Sequence, residues 1–266
     1  MTSHPFYNGY SGKQELTGQA LVDYVRTHQN LFEVEESEKN NERMKYLMPV
    51  DFVTRPRDED RIKVVVDRKL PERCRGGWPI KAWEWVKENG VCTGGRYSAK
   101  GVCKPYAFYP CGNHTNEIWY GECPKASWPT PKCRKACKYG YRKPYEKDKY
   151  YAKSAYILPN DEEAIRKEIL ENGPVQAVFD VYEDFRLYKR GIYKNTQGKK
   201  TGAHAVKIYG WGADAFFNST HTIVIPYWRI INSWNVDWGE KGYFRMIRGE
   251  DNCGIESMVT AGIMAA

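Results

Sequence analysis

The residues of this chain best suited to moving a proton are a histidine in the run Gly202-Ala203-His204-Ala205-Val206 and an amide in Tyr227-Trp228-Arg229-Ile230-Ile231-Asn232-Ser233-Trp234. An imidazole titrates near neutrality, so it can take a proton from a nucleophile and return it to a leaving group. Strand alternation would put His204, Val206 and Ile208 on one side of the backbone and Ala203, Ala205 and Lys207 on the other, holding the ring rigidly. Asn232 supplies an oxygen able to accept from one ring nitrogen, which fixes the tautomer and leaves the other nitrogen as a base. Trp234 is placed to shield that hydrogen bond from water. By itself His204 reads equally well as an ordinary core or edge residue of a strand, and the pair names no nucleophile.

Such a pair needs a strand-rich frame, and the C-terminal part of the chain is patterned for one. Residues 160–172 read as a helix with a capping-box-like Asn160 and Glu163, apolar Ile165, Ile169 and Leu170, and a Gly173-Pro174 stop. Residues 175–181 then alternate as a half-buried strand, and further strands are expected at 203–209, 227–231 and 243–247. Ile223-Val224-Ile225 is an apolar run between two of them. Upstream, residues 78–89 read as a helix with Pro79 in its first turn, Ile80, Trp83 and Val86 on one face and Gly90 as its stop. Residues 16–30, with Leu21, Tyr24 and Val25 at helical spacing, and 37–48 are two more amphipathic candidates.

With 266 residues, 41% of them hydrophobic, the chain is long enough for one or two domains with a real core. Fourteen prolines, twenty tyrosines and nine tryptophans indicate a loop-rich, aromatic-packed protein. The formal charge of +8 is spread along the chain without a basic run, so a nucleic-acid partner is not expected. No apolar run has the length of a membrane span. Eight cysteines, six of them between Cys92 and Cys137, read as a disulfide framework of an oxidising compartment. Cys133 and Cys137 have zinc-ligand spacing, but no second pair completes a site, so neither a metal nor a cofactor is expected. Asn113-His114-Thr115 and Asn218-Ser219-Thr220 fit the glycosylation pattern at Asn113 and Asn218, which agrees with secretion, whereas residues 1–13 are polar and carry no signal peptide.

Four blocks carry a resemblance: Cys74-Arg75-Gly76-Gly77-Trp78-Pro79, Gly202-Ala203-His204-Ala205, Asn232-Ser233-Trp234 with Asp237-Trp238-Gly239-Glu240, and Cys253-Gly254-Ile255-Glu256-Ser257. In their order and surroundings they resemble the cathepsin B-like cysteine proteases of the papain family, and the similarity runs with gaps from about Leu16 to Ile263. The resemblance implies an α+β, papain-like two-domain fold. A helical prosegment-like region would occupy 1–70 and a peptidase domain 71–266. Within the latter, 71–154 would be a truncated left domain with an occluding-loop-like stretch from Cys103 to Cys137, and 155–266 a retained barrel-like right domain. Residues 49–71 look like the charged, extended end of the prosegment. Read without the resemblance, the N-terminal helices make an ordinary small domain.

The family's nucleophile is a cysteine in a C-G-S-C-W-like motif at the head of a central helix, with an oxyanion-hole glutamine just before it. Neither motif occurs here. Leu70-Pro71-Glu72 resembles the start of a mature enzyme, yet Cys74 follows two residues later, where the family has several tens. Cys74 stands 130 positions before His204 (204 minus 74), within the papain-like range of roughly 130 to 150. Its C-x-G-G-x-P context, however, matches a block in which the cysteine is structural and the glycines, here Gly76 and Gly77, bind substrate backbone.

His204 and Asn232 therefore remain as base and orienter of a cysteine peptidase that as written is inactive. The alternative is a catalytically dead decoy that binds peptides or protease inhibitors; an unrelated disulfide-rich binding module stands furthest from the motifs. By resemblance Trp234 covers the site, Met258 makes the P2 pocket apolar, and Asn113 and His114 replace the adjacent histidine pair that anchors a substrate's C-terminus. His114 reads as that anchor or as a plain loop residue. Cys103 would pair with Cys137 and Cys111 with Cys123. Cys74 and Cys133 would have lost their partners, and the pairing of Cys92 and Cys253 stays open. Peptide or protein substrates, cystatin-type inhibitors and a lysosomal or extracellular location follow from the same resemblance.

Overall fold

The computed structural model describes residues 15–45, 47–48, 77–125, 128–129, 131–217 and 222–265. The charged stretch at 49–71, the junction at Glu72, Cys74, Gly76 and Asn218 lie outside the described residues.

The chain starts with helix α1 (Gly18–His28), strand β1 (Phe32–Val34) and helix α2 (Glu38–Met44). The helical spacing in α1 buries Leu21, Val22 and Val25 completely, with Val22 taking the inward place expected for Tyr24, whose ring instead stacks on His28. Helix α2 stops short of the expected residue 48. The chain bends at Leu47, and Met48 exchanges two backbone hydrogen bonds with Ala203, at 3.0 and 2.9 Å.

Helix α3 (Pro79–Asn89) has proline in its first turn and ends at Gly90, whose φ of 68° is one that only glycine adopts without strain. It buries no residue completely, and Ile80, Trp83 and Val86 are half-covered. Three short strand pairings follow. Strand β2 (Val91–Cys92) pairs with β5 (Lys149–Tyr150), β3 (Gly94–Gly95) with β4 (Lys104–Pro105), and β6 (Tyr156–Ile157) joins the edge of the main sheet.

Helix α4 (Glu162–Asn172) is capped by Asp161, whose carboxylate accepts from the Glu163 backbone N–H at 2.9 Å. The cap expected at Asn160 is thus corrected by one residue; the Asn160 amide donates to Ser257 Oγ at 3.1 Å instead. Ile165 and Ile169 are buried, but Leu170 is 77% exposed, because the helix contacts the sheet along a single narrow stripe.

The remaining strands are β7 (Val175–Tyr182), β8 (Tyr188–Tyr193), β9 (Lys200–Phe217), β10 (Thr222–Ile231), β11 (Tyr243–Ile247) and β12 (Val259–Ala261). One eight-stranded sheet runs β1-β8-β11-β10-β9-β7-β12-β6, antiparallel except between β8 and β11. Strand β7 was expected to be half-buried, yet six of its eight residues are buried, because it is an interior strand covered on both faces. Ile223-Val224-Ile225 extends β10 along β9, opposite Phe216, Ala215 and Asp214. A single apolar cluster runs from α1 through Phe185, Tyr188 and Tyr193 to Trp228, Trp238 and Phe244.

Candidate active site

The site is assembled on β9 and on the loop after β10. Register sets Phe179 of β7 opposite His204 and Ile231 of β10 opposite Lys207, which brings the histidine and the β10 terminus to the same end of the sheet. From there His204 Nε2 lies 2.9 Å from Asn232 Oδ1. The same oxygen accepts the Ser233 backbone N–H at 2.7 Å, which fixes the amide with its oxygen toward the ring. Nε2 is therefore the proton-bearing, donating nitrogen, and Nδ1 is left as the basic one.

Asn232 is itself buried and held by a backbone hydrogen bond from its N–H to Gly242 O at 2.9 Å. The indole of Trp234 stacks on the imidazole with centroids 5.0 Å apart, and Phe179 meets it edge-on at 6.2 Å. Trp234 is in turn braced by Phe185 and Trp238. This apolar wall pushes the His204 pKa below the ordinary imidazole value, while the hydrogen bond to Asn232 works the other way. The result is a neutral, oriented base.

The other sequence-derived residues are placed as follows. His114 donates from Nε2 to Cys111 O at 2.9 Å and turns Nδ1 to Asp237 Oδ2 at 3.3 Å, so both nitrogens face acceptors and the second contact is a hydrogen bond when the ring is imidazolium. Gly77 is exposed, with open space where a Cβ would stand. Met258 is half-buried, and its carbonyl accepts the Val178 N–H at 3.1 Å, two strands from His204. Asn113 is exposed. Cys103 bonds Cys137 and Cys111 bonds Cys123. Cys92, Cys133 and Cys253 carry no disulfide.

Sequence reasoning assigned no role to Asp237. Its carboxylate is 8% exposed and takes Arg43 at 2.6 Å and Lys39 at 3.5 Å from α2, besides His114. Burial would raise its pKa, but Arg43 and His114, with Lys39, outweigh that and hold it below the ordinary carboxylate value. Asp237 lies in one of the quoted blocks; only its distance in sequence from Arg43 hid the pairing.

A strand-borne histidine, oriented by an amide and covered by an indole, has the geometry that a general base requires. The chain belongs to the papain family of cysteine proteases, whose domain matches residues 63–263, and within it to the cathepsin B-like group. It is 53% identical over 191 residues to cathepsin B-like cysteine proteinase 2 of Haemonchus contortus, covering 72% of this chain and 53% of that protein, so it spans about half the length of that relative. With cathepsin B-like cysteine proteinase 5 of Caenorhabditis elegans it shares 36% identity over 326 aligned residues, 96% of this chain and 92% of that protein. Since 96% of 266 residues is about 255, about 71 of those aligned residues have no counterpart in this chain. Among solved structures, proCathepsin B S9 from Trypanosoma congolense superposes with a TM-score of 0.56 at 34% identity, covering 73% of this chain and 55% of that one. The α+β papain-like fold expected from the sequence is the fold observed.

Proposed function

We propose that this chain is a form of a cathepsin B-like thiol peptidase in which His204 is the general base, Asn232 its orienter and Trp234 the cover over their hydrogen bond, and that as written it does not turn over peptides. The observation that carries this is the 2.9 Å contact from His204 Nε2 to Asn232 Oδ1, which leaves Nδ1 as the base. In a chain holding the cysteine, that nitrogen would take the thiol proton, the thiolate would add to the peptide carbonyl, and the imidazolium would return the proton to the leaving amine. No cofactor enters these steps. Among the described cysteines, four form disulfides, Cys92 is half-buried beside Cys103, Cys133 is exposed on its loop and Cys253 packs at the edge of the core.

On this reading the substrates are peptides or proteins, aligned by Gly76 and Gly77 and with an apolar P2 side chain beside Met258. Residues 1–70 act as a blocking prosegment, which fits the pairing of Met48 with Ala203, next to His204. The same pairing favours the second reading, a decoy that captures an extended peptide or a cystatin-type inhibitor on the stretch of β9 that Met48 occupies, without cleaving it. Two disulfides and an exposed Asn113 suit a lysosomal or extracellular location. Among the described residues no helix is long and apolar enough to cross a membrane.

The test is to assay the folded chain with dipeptidyl fluorogenic substrates and a thiol-directed epoxide. No turnover and no label are expected, and epoxide on Cys74 overturns the assignment. Sequencing the natural transcript across the codons for Leu70 to Gly77 then separates the two readings. An insert encoding a glutamine and a C-G-S-C-W-like segment supports an active peptidase as the gene product; a junction as written supports the decoy.

A further inference from the structure

Away from His204, three sulfurs meet at the base of the 103–137 loop. The parallel pairing of Gly94 with Lys104 and Gly95 with Pro105 draws the segment just after Cys92 against the one just after Cys103. Thr93 locks them together: its Oγ1 accepts the Cys103 N–H at 2.9 Å and its carbonyl accepts the Lys104 N–H at 3.0 Å. In consequence Cys92 Sγ, Cys103 Sγ and a carboxylate oxygen of Asp148 all lie within 4.8 Å of one another. Cys92 is a half-buried free thiol, whereas Cys103 is wholly buried and bonded to Cys137. This is not a ready metal site, because a disulfide sulfur offers no thiolate and Asp148 is engaged by Thr93 and Tyr141.

We infer that Cys92 is an exchange thiol for the Cys103–Cys137 disulfide. The Cys92 thiol gives its proton to water, and the thiolate attacks Cys103 Sγ. A Cys92–Cys103 bond forms as Cys103–Cys137 breaks, and the departing Cys137 thiolate takes up a proton. The reaction is an isomerisation, so it consumes neither oxidant nor reductant. The burial of Cys103 shuts out bulky external thiols and leaves Cys92 as the thiol in reach. Its consequence lies at the far end of the loop. Cys137 is the covalent closure of a 34-residue separation, and freeing it leaves the segment carrying His114 held by the Cys111–Cys123 bond and by non-covalent contacts. The disulfide isomer would thus be a loop-open form of the molecule.

The experiment holds the full chain without added thiol at about pH 8.5, where an ordinary thiol is half ionised. The sample is then acid-quenched, its free thiols alkylated, and its disulfide peptides mapped by mass spectrometry without reduction. The expected result is label shifting from Cys92 to Cys137 over time, with a Cys92–Cys103 linked peptide appearing in step. Label that stays on Cys92 while Cys103–Cys137 remains the linked pair overturns the inference. Cys92→Ala is expected to abolish the label on Cys137. If the label persists in that variant with Cys111–Cys123 still intact, the attacking group is not Cys92 and the inference fails.

Discussion

At the scale of single residues, the site is a balance between burial and one hydrogen bond at His204. The Trp234 and Phe179 rings desolvate the imidazolium, and Asn232 returns part of the loss. Asn232→Ala should therefore lower the His204 pKa further, and Asn232→Asp should raise it by placing a negative charge at Nε2. NMR titration of the ring decides this; an unchanged or raised value in Asn232→Ala would show that the amide does not stabilise the charged form. Folded His204 binds a proton less readily than the unfolded chain, whose histidine titrates at about 6.5. His204 thus costs stability as pH falls through that value, and the cost levels off below the folded pKa. Asp237 behaves oppositely: its depressed pKa contributes stability above the unfolded value of about 3.9, and this is lost as pH falls through the folded one. Arg43→Ala leaves a buried carboxylate with only the weaker His114 and Lys39 contacts, and should cost about 3 kcal/mol at neutral pH, the low end for a broken buried pair. A denaturant midpoint unchanged from the parent would place the pair among inconsequential surface bridges.

Elements show how far the sequence could be read. Residues 243–247 form β11 as expected, and α3 begins at Pro79 and stops before Gly90, because those limits are set by local chemistry: alternation, a proline without an N–H, a glycine at positive φ. Misreadings arose where tertiary packing decides. Leu170 follows a helical period yet faces solvent, and β7 alternates yet is buried on both faces, since periodicity cannot report how many layers cover an element. Ile165→Ala should accordingly cost about 2–5 kcal/mol and Leu170→Ala no more than about 0.5 kcal/mol, measured by chemical denaturation. Equal losses would mean that α4 does not dock as described. The contacts of His204 with Asn232 and Trp234 were legible because each residue sits in a recognisable block, whereas Asp237 with Arg43 is a long-range meeting that no local pattern encodes. Contact between the N-terminal segment and β9 has its own test. A Cβ on Gly202 would stand 2.6 Å from Met48 O and 2.8 Å from Leu47 Cβ. Gly202→Ala should displace residues 47–48 and speed exchange of the Met48 amide, which donates to Ala203 O; unchanged protection there would refute the strand-like docking.

Viewed as a whole, the molecule is lopsided. Leu21, Val22 and Val25 of α1 join the core of the large sheet, so the N-terminal helices and residues 152–265 share one apolar interior. Among the described residues of 77–151, by contrast, Cys103 is the single buried apolar side chain, and α3 buries none. Helix α3 rests on strands β6 and β12, with Trp83 packed on Gly262, and leaves Ile80, Trp83 and Val86 half-covered and Trp85 exposed. Local stability follows local burial, so the two parts should not open together. Native-state hydrogen exchange should find α3 and the short strands of 91–105 opening at a clearly lower free energy than β7, β9 and β11. Reducing the disulfides should lower it further, because the Cys103–Cys137 bond closes a 34-residue separation within 77–151. A single opening energy shared by both parts would contradict this division. The same measurement bears on the residues that relatives have and this chain lacks. If those residues fold against α3, a chain with them restored should cover the half-covered residues of the helix and bring its protection up toward that of the sheet. If protection of α3 is unmoved by their restoration, the missing residues pack elsewhere, and the weak stability of 77–151 is a property of that part of the fold and not of the junction.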